Sequence, residues 1–393
     1  MIERITEKPL WDYLKTANKP IVLYGMGNGA DMIIEVLEGL GLCYSDVFAS
    51  DGFVRGHFFH GKKVLTFDEI KAKYGDFIIL MTFAVHDRET LDKVRILSES
   101  HELYSPTVPI AGKELFTYDF IKENDELFER AYSLLADEKS RQTFLDVLNF
   151  KISGKVKYLF DCEYEKALLY KEIIHLSSDE TIVDLGAYDG DTIREFLTAT
   201  DGQYKKIIAF EPDEKNFRKL TAKTEGMENI ERHNLGAWDK KETLYFQKKK
   251  GRNSHQADDG IPVEFDSVDN IVKENVTFLK MDIEGAELRA LEGARETITR
   301  DKPKLYVCAY HRNEDMFSLP MKINELCPEY KIYFRHHPYV PAWESYFYVT
   351  VLNAQVLWVT FLTRKVTAAR RGHKVSLSKV KVTDLISVTS DCR

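Results

Sequence analysis

The sequence predicts an α/β protein: a doubly wound, mostly parallel sheet, preceded by a smaller α/β unit and a helical connector. Three observations predict it. Short apolar runs alternate with helix-like stretches in two separate regions of the 393-residue chain, the pattern of parallel strands joined by crossover helices. In each region an apolar run leads into a glycine-rich turn, Gly25-Met26-Gly27-Asn28-Gly29 in the first and Gly186-Ala187-Tyr188-Asp189-Gly190 in the second. Between the two regions the composition shifts to helix formers.

The first unit spans residues 1–115. A polar helix-like opening is followed by the short buried strand Pro20-Ile21-Val22-Leu23-Tyr24, the glycine-rich turn and the amphipathic helix DMIIEVLEGLG. A second strand, DVFAS, ends at Asp51, and KKVLTF, the helical DEIKAKYG and the apolar FIILMTFA continue the alternation. The turn reads Gly-x-Gly-x-Gly and lacks the glycine three places further on that a dinucleotide fingerprint carries. Two readings fit it: a module for a nucleotide or nucleotide-sugar, or a degenerate fold used for packing or for a homodimer contact.

Residues 116–175 hold DELFERAYSLLADEKSRQTFLDVLNFKISG and EYEKALLYKEIIHL, whose apolar spacing predicts a helical connector. Residues 176–353 form the second α/β unit, with strands at TIVDLG, KIIAFEP, IERHNLG, TLYFQ, VTFLKMD, KLYVCAYH, YKIYFRH and SYFYVTVL. The remainder, 354–393, reads as a basic tail: from Asn353 on there are eight Lys or Arg against two Asp, without a clean period.

Bulk properties narrow the function. A formal net charge of -8 gives the chain no electrostatic footprint for nucleic acid, since such binders carry basic patches. No apolar stretch reaches the length of a membrane span, and the opening MIERITEKPLWDYLK has no apolar segment of the secretory kind. Cys43, Cys162, Cys308, Cys327 and Cys392 are scattered, which predicts reduced thiols in a cytoplasmic protein and no paired metal ligands. His336-His337 look like a metal pair, but adjacent strand residues point to opposite faces, so no metal is expected.

The second glycine turn carries the most chemistry. Strand Ile182–Leu185 runs into Asp184-x-Gly186-x-x-x-Gly190 and then a helix start that Asp191 or Thr192 can cap. Glycine lets the backbone turn sharply and a ligand approach closely. Asp184 can face a cationic group, whereas Asp184, Asp189 and Asp191 together would repel a phosphate. S-adenosyl-L-methionine (SAM) carries an ammonium and a sulfonium and suits such a turn. About 20 residues on, Glu211-Pro212 ends the next strand, where a carboxylate can accept hydrogen bonds from both hydroxyls of a ribose. The cofactor-binding residues are then Asp184, Gly186, Ala187, Tyr188, Asp189, Gly190, Thr192, Glu211 and Pro212, with Asp282 near the same crevice. Trp238, after the third strand, is either a wall of the adenine pocket or core filling.

With these motifs, VDLGAYDGDT, AFEPDEKNFRKL and FLKMDIEGAELRALEGA, the sequence over about residues 180 to 350 resembles the FkbM family of SAM-dependent methyltransferases. The resemblance implies the class I methyltransferase fold, SAM as cofactor, and mostly O-methylation of sugars, glycans or secondary metabolites. The front unit, over about residues 18 to 90, resembles the Rossmann-like, nucleotide-binding-like domains found beside some glycan-modifying enzymes.

The acceptor is expected beyond the carboxyl ends of the strands. Asp282 and Glu284 follow VTFLKM, and His311 follows LYVCAY. Methyl transfer needs a positioned acceptor, and a hydroxyl gains from a base. Asp282 and His311 are the candidate catalytic residues, with His311 expected near its ordinary pKa of about 6.5. Asp282 can equally cap the helix EGAELRALEGA, and Glu284 can act through that helix's dipole alone. Two rival functions remain: an NAD-dependent or nucleotide-sugar-binding oxidoreductase using the front unit, and a non-catalytic scaffold that binds SAM or a glycan.

Overall fold

The apolar run Ile21–Tyr24 (β1) is buried along its whole length, as a strand covered on both faces of a parallel sheet must be. Around it lie Asp46–Phe48 (β2), Phe58–Phe59 (β3), Lys62–Leu65 (β4), Ile78–Met81 (β5) and Glu102–Tyr104 (β6). They form a six-stranded sheet in the order β3-β4-β2-β1-β5-β6, parallel except for the β3–β4 pair. The computed structural model describes residues 1–351 apart from 55, 113, 249–253 and 257–259. The basic tail expected at 354–393 therefore lies outside the described residues.

The second unit is built on Thr181–Leu185 (β7), Lys206–Phe210 (β8) and Ile230–His233 (β9). Next come Gly236–Ala237 (β10), Glu242–Lys248 (β11), Ser254–Gln256 (β12) and Ile261–Asp266 (β13). The chain then returns through Phe278–Met281 (β14), Lys304–Cys308 (β15), Lys331–His336 (β16) and Ser345–Thr350 (β17). Seven of these form one sheet in the order β16-β17-β15-β14-β7-β8-β9, in which only β17 runs against its neighbours. The expected strand TLYFQ is present as β11, but it belongs to a separate four-stranded sheet, β10-β13-β11-β12, not to the doubly wound one. Its partners explain this: β11 pairs antiparallel with both β12 and β13, the meander geometry of short hairpins.

Each large sheet has its own apolar core. Leu23, Ile33, Leu37, Val47 and Leu80 fill the first, and Ile182, Phe196, Ile207, Phe278 and Tyr348 fill the second. Between the two large sheets the chain is mainly helical, and the helix Glu138–Ser153 lies against β16. Asp137 caps that helix through the Ser140 N–H at 2.7 Å and also receives Arg335 Nη2 of β16 at 2.6 Å. The front unit is stitched to the rest by backbone. Val85 and Val340 exchange hydrogen bonds at 2.8 and 3.0 Å, Ser105 N donates to Gly154 O at 2.7 Å, and Ala111 N donates to His311 O at 3.1 Å. Among the described residues no helix is long and apolar enough to cross a membrane.

Candidate functional site

In the larger sheet the chain runs outward from β7 to β8 and β9, then restarts at β14 on the other side of β7. The switch point, where such sheets bind ligands beyond their carboxyl ends, is the crevice between β7 and β14. The turn after β7 is made for a close approach. Gly186 has φ +80°, and a Cβ there would stand 1.9 Å from the carbonyl oxygen of Asp282, so only glycine lets the two loops meet. The helix Asp191–Ala199 follows with Gly190 at its cap and no side-chain cap. The expected capping by Asp191 or Thr192 is thus corrected: glycine holds the cap position, and Asp191 Oδ1 accepts from Thr192 N at 2.8 Å instead.

Asp184 is fully buried in β7, and the cation it faces is the chain's own Lys280, at 3.1 Å across the β7–β14 register. Lys280 also donates to Gly186 O at 2.8 Å. Burial works against charging Lys280, but Asp184 and Asp282 outweigh it and raise its pKa. Asp189 is drawn to Lys223 and, at 3.4 Å, to Arg194. Ala187 is buried, while Tyr188 holds a left-handed backbone with φ +48° and leaves its side chain 43% exposed.

Glu211 ends β8 with 6% exposure. Its Oε2 accepts from Tyr188 N and its Oε1 from Asp213 N, both at 2.9 Å. Burial pushes the carboxyl up to about 7, with the two backbone N–H groups pulling the other way. Each oxygen keeps a further lone pair for a ligand hydroxyl. Asn234 Nδ2 fixes the loop by donating to Glu211 O at 2.8 Å and Pro212 O at 3.2 Å.

On the other side of the crevice Asp282 leaves β14 and is half-buried. It accepts from the Tyr310 hydroxyl at 3.2 and 3.4 Å. Burial favours its neutral form, but Lys280 and His311 outweigh that and hold it below the ordinary carboxylate range. Its expected role as a helix cap is corrected. The helix runs Glu287–Gly293 with Ala286 at the cap, because left-handed backbone at Glu284 and Gly285 delays its start. His311 is buried. Its Nδ1 lies 2.9 Å from Glu287 Oε1, and its Nε2 lies 3.4 Å from Glu284 and 3.7 Å from Asp282. Burial opposes charging this ring, yet the carboxylates of Glu287, Asp282 and Glu284 raise it to about 9. The expectation of a histidine near 6.5 is therefore corrected: at neutral pH His311 carries its proton.

The comparisons fit this geometry. Residues 184–345 match the family model described as the methyltransferase FkbM domain. This part of the chain is an FkbM methyltransferase domain. A solved structure of methyltransferase FkbM from Methylobacillus flagellatus KT matches with a TM-score of 0.64 at 24% identity, over 88% of this chain and 92% of its own. Residues 116–393 are a smaller share of the chain than that, so the shared fold reaches into the front unit. An rRNA methylase from Streptococcus thermophilus matches at 16% identity over 48% of this chain and 95% of its own, with a TM-score of 0.33. Aeropyrum pernix fibrillarin, in complex with natively bound S-adenosyl-L-methionine, matches at 14% identity over 47% of this chain and 73% of its own, with a TM-score of 0.31. No curated protein matches the chain. The sheet order with its single reversed strand is the class I methyltransferase fold.

The remaining candidates are also placed in the FkbM domain. Trp238 is part-buried, edge-on to Phe265 with ring centres 5.6 Å apart and under the Arg289 guanidinium at 5.7 Å. His336 and His337 are both buried and separately bonded, His336 to Ser345 Oγ and Tyr339 O, His337 to Tyr164 O and Tyr348 Oη. Three residues were given no role at the site by the sequence reading: Lys280 and Glu287, both inside FLKMDIEGAELRALEGA, and Cys308, grouped with the scattered cysteines. One donor atom from each of Asp282, Glu287, Cys308 and His311 lies within 4.8 Å of the others. A signal for Lys280 was present, a lysine inside the apolar strand FLKM. Nothing in the spacing pointed to Glu287 or Cys308.

Proposed function

We propose that the FkbM domain moves the methyl group of SAM to a hydroxyl of a small-molecule or glycan acceptor: a sugar, a glycan or a secondary metabolite. The observation that carries this reading is Glu211, a buried carboxylate whose two oxygens are each steadied by one backbone N–H beside the glycine turn. Two ribose hydroxyls satisfy such a group, and the acids of the turn favour a cofactor without phosphates. The acceptor sits where β14 and β15 end. The oxygen attacks the methyl carbon in line as the bond to sulfur breaks, leaving S-adenosylhomocysteine. The hydroxyl proton passes to Asp282, the ionised and half-open acid, while protonated His311 lies beside it at 3.7 Å. Positioning supplies most of the rate. The net charge of -8 favours a small acceptor over nucleic acid, and the dispersed cysteines favour the cytoplasm. The front unit acts as a packing or dimerisation module.

Melting of the full chain with SAM, S-adenosylhomocysteine, NAD and UDP-glucose tests the reading, because a ligand of the folded state raises the melting temperature. SAM and S-adenosylhomocysteine are expected to stabilise and the other two not. Stabilisation by NAD with none by S-adenosylhomocysteine overturns it.

A further inference from the structure

The ends of β14 and β15 hold more chemistry than a proton acceptor needs. Asp282, Glu287, Cys308 and His311 converge within 4.8 Å, and all but Asp282 are buried. Glu287 spends Oε1 on His311 Nδ1 at 2.9 Å and Ile283 N at 3.0 Å. Its Oε2 is buried and has no hydrogen-bond partner among the described residues. A buried carboxylate oxygen without a donor is costly, and a cation is the ligand that relieves it. A second buried carboxyl, Asp315, lies in the field of Glu287, and burial together with that charge favours its neutral form.

We propose that Asp282, Glu287, Cys308 and His311 bind one divalent cation of the zinc class. The donors decide the class. Magnesium and calcium take oxygen ligands, whereas a set of carboxylates, an imidazole and a thiolate suits a borderline-soft ion. Zinc bonds of about 2.0–2.3 Å put tetrahedral donors roughly 3.3–3.8 Å apart, so the cluster closes by a small side-chain movement. On binding, the thiol proton of Cys308 and the ring proton of His311 leave to solvent. Four protein donors make a closed site. The ion therefore ties the ends of β14 and β15 to the helix Glu287–Gly293, and it holds no reacting water. Asp282 contributes one oxygen and keeps the other for the acceptor. The cofactor turn at Gly186 and Glu211 is not part of the cluster, so SAM binding is separable from it. With the ion bound, His311 gives up the ring proton that it carries in the metal-free chain, and Asp282 takes the acceptor proton on its free oxygen.

The full chain, stripped with a chelator and dialysed against Zn2+, is expected to retain one ion per chain by elemental analysis, and Mg2+ is not expected to be retained. Co2+ is expected to give a thiolate-to-metal charge-transfer band that Cys308→Ser abolishes. Glu287→Gln and His311→Asn, shown to be folded by circular dichroism, are expected to weaken Zn2+ by at least about 10-fold to 100-fold, the cost of losing even an outer-shell partner. Calorimetry with S-adenosylhomocysteine on the same samples keeps the two readings separate, since its binding is expected with or without Zn2+. No Zn2+ retained by the folded wild-type chain, or equal retention by folded His311→Asn, overturns the site. If the variants do not fold, the wild-type cobalt spectrum decides, and a spectrum without the thiolate band overturns it.

Discussion

Lys280 Nζ stands 3.1 Å from Asp184 Oδ1 and donates to Gly186 O at 2.8 Å, with both side chains buried between neighbouring strands. One cation thus balances the acid of β7 and pins the turn that follows it. Breaking a buried pair from one side leaves the other charge uncompensated, at a cost of about 3–5 kcal/mol. Lys280→Met is expected to lose stability of that order in urea unfolding, and a second change, Asp184→Leu, to recover part of it. A single variant that unfolds at the wild-type midpoint removes the ion pair from the account of what holds the turn.

Glu211 links the first two strand ends, because its Oε2 reaches Tyr188 N. A charged hydrogen-bond acceptor contributes about 1.5–3 kcal/mol. Glu211→Ala is therefore expected to weaken S-adenosylhomocysteine by about 10-fold to 100-fold, read by calorimetry. Burial raises this carboxyl to about 7, so wild-type affinity is expected to fall as the pH drops below that value. Glu211→Gln is expected to bind weakly with no such slope. Equal affinity in a folded Glu211→Ala chain assigns the ribose elsewhere.

The elements that carry the cofactor turn were legible because their signals are local. The apolar runs at 182–185 and 207–210, the glycines at 186 and 190 and the acid at 211 all lie in one stretch of sequence, and the structure places them at one switch point. The acceptor side was less legible because its geometry is set by contacts far apart in sequence. Asp282 reads as a helix cap until the backbone of Glu284 and Gly285 turns left-handed and moves the helix start to Glu287. His311 reads as a histidine near 6.5 until Glu287, 24 positions earlier, is found against its Nδ1. The separate sheet containing β11 was hidden for a similar reason. Ile261, Val263 and Phe265 alternate along β13 as a strand should, but its antiparallel pairing with β11, which sets the sheet apart, is a contact between separate stretches of the chain.

His311 is expected to write its proton into the stability curve. Folding raises its pKa from about 6.5 to about 9, so the folded chain holds a proton that the unfolded chain releases. The stabilisation is complete below about pH 6.5 and disappears as the pH rises through about 9, a loss of roughly 3 kcal/mol. Melting with chelator present, compared with His311→Gln, reads this directly. The wild-type chain is expected to lose stability across that window and the variant to stay level. Parallel curves show that Glu287 and its neighbours do not hold the proton.

The front unit reaches the acceptor end of the crevice. Ala111 N donates to His311 O at 3.1 Å, and Asn313 Nδ2 donates to Glu114 O at 2.9 Å. Val85 and Val340 pair, and Ser105 bonds Gly154 of the connector. Gly186 and Glu211 are instead held by Lys280, Tyr188 and Asn234 of the FkbM domain and by the backbone of β8 and β9. A chain beginning at residue 116 is therefore expected to bind S-adenosylhomocysteine with nearly full affinity, because the cofactor turn keeps these partners. The same chain is expected to melt at a lower temperature, since it loses the contacts to Gly154, His311, Asn313 and Val340 and exposes apolar surface around them. Calorimetry and thermal melting on one preparation separate the two effects. A soluble, folded fragment that no longer binds S-adenosylhomocysteine makes the front unit part of the cofactor site. A fragment that melts like the full chain makes the front unit an independent domain whose contacts contribute little stability.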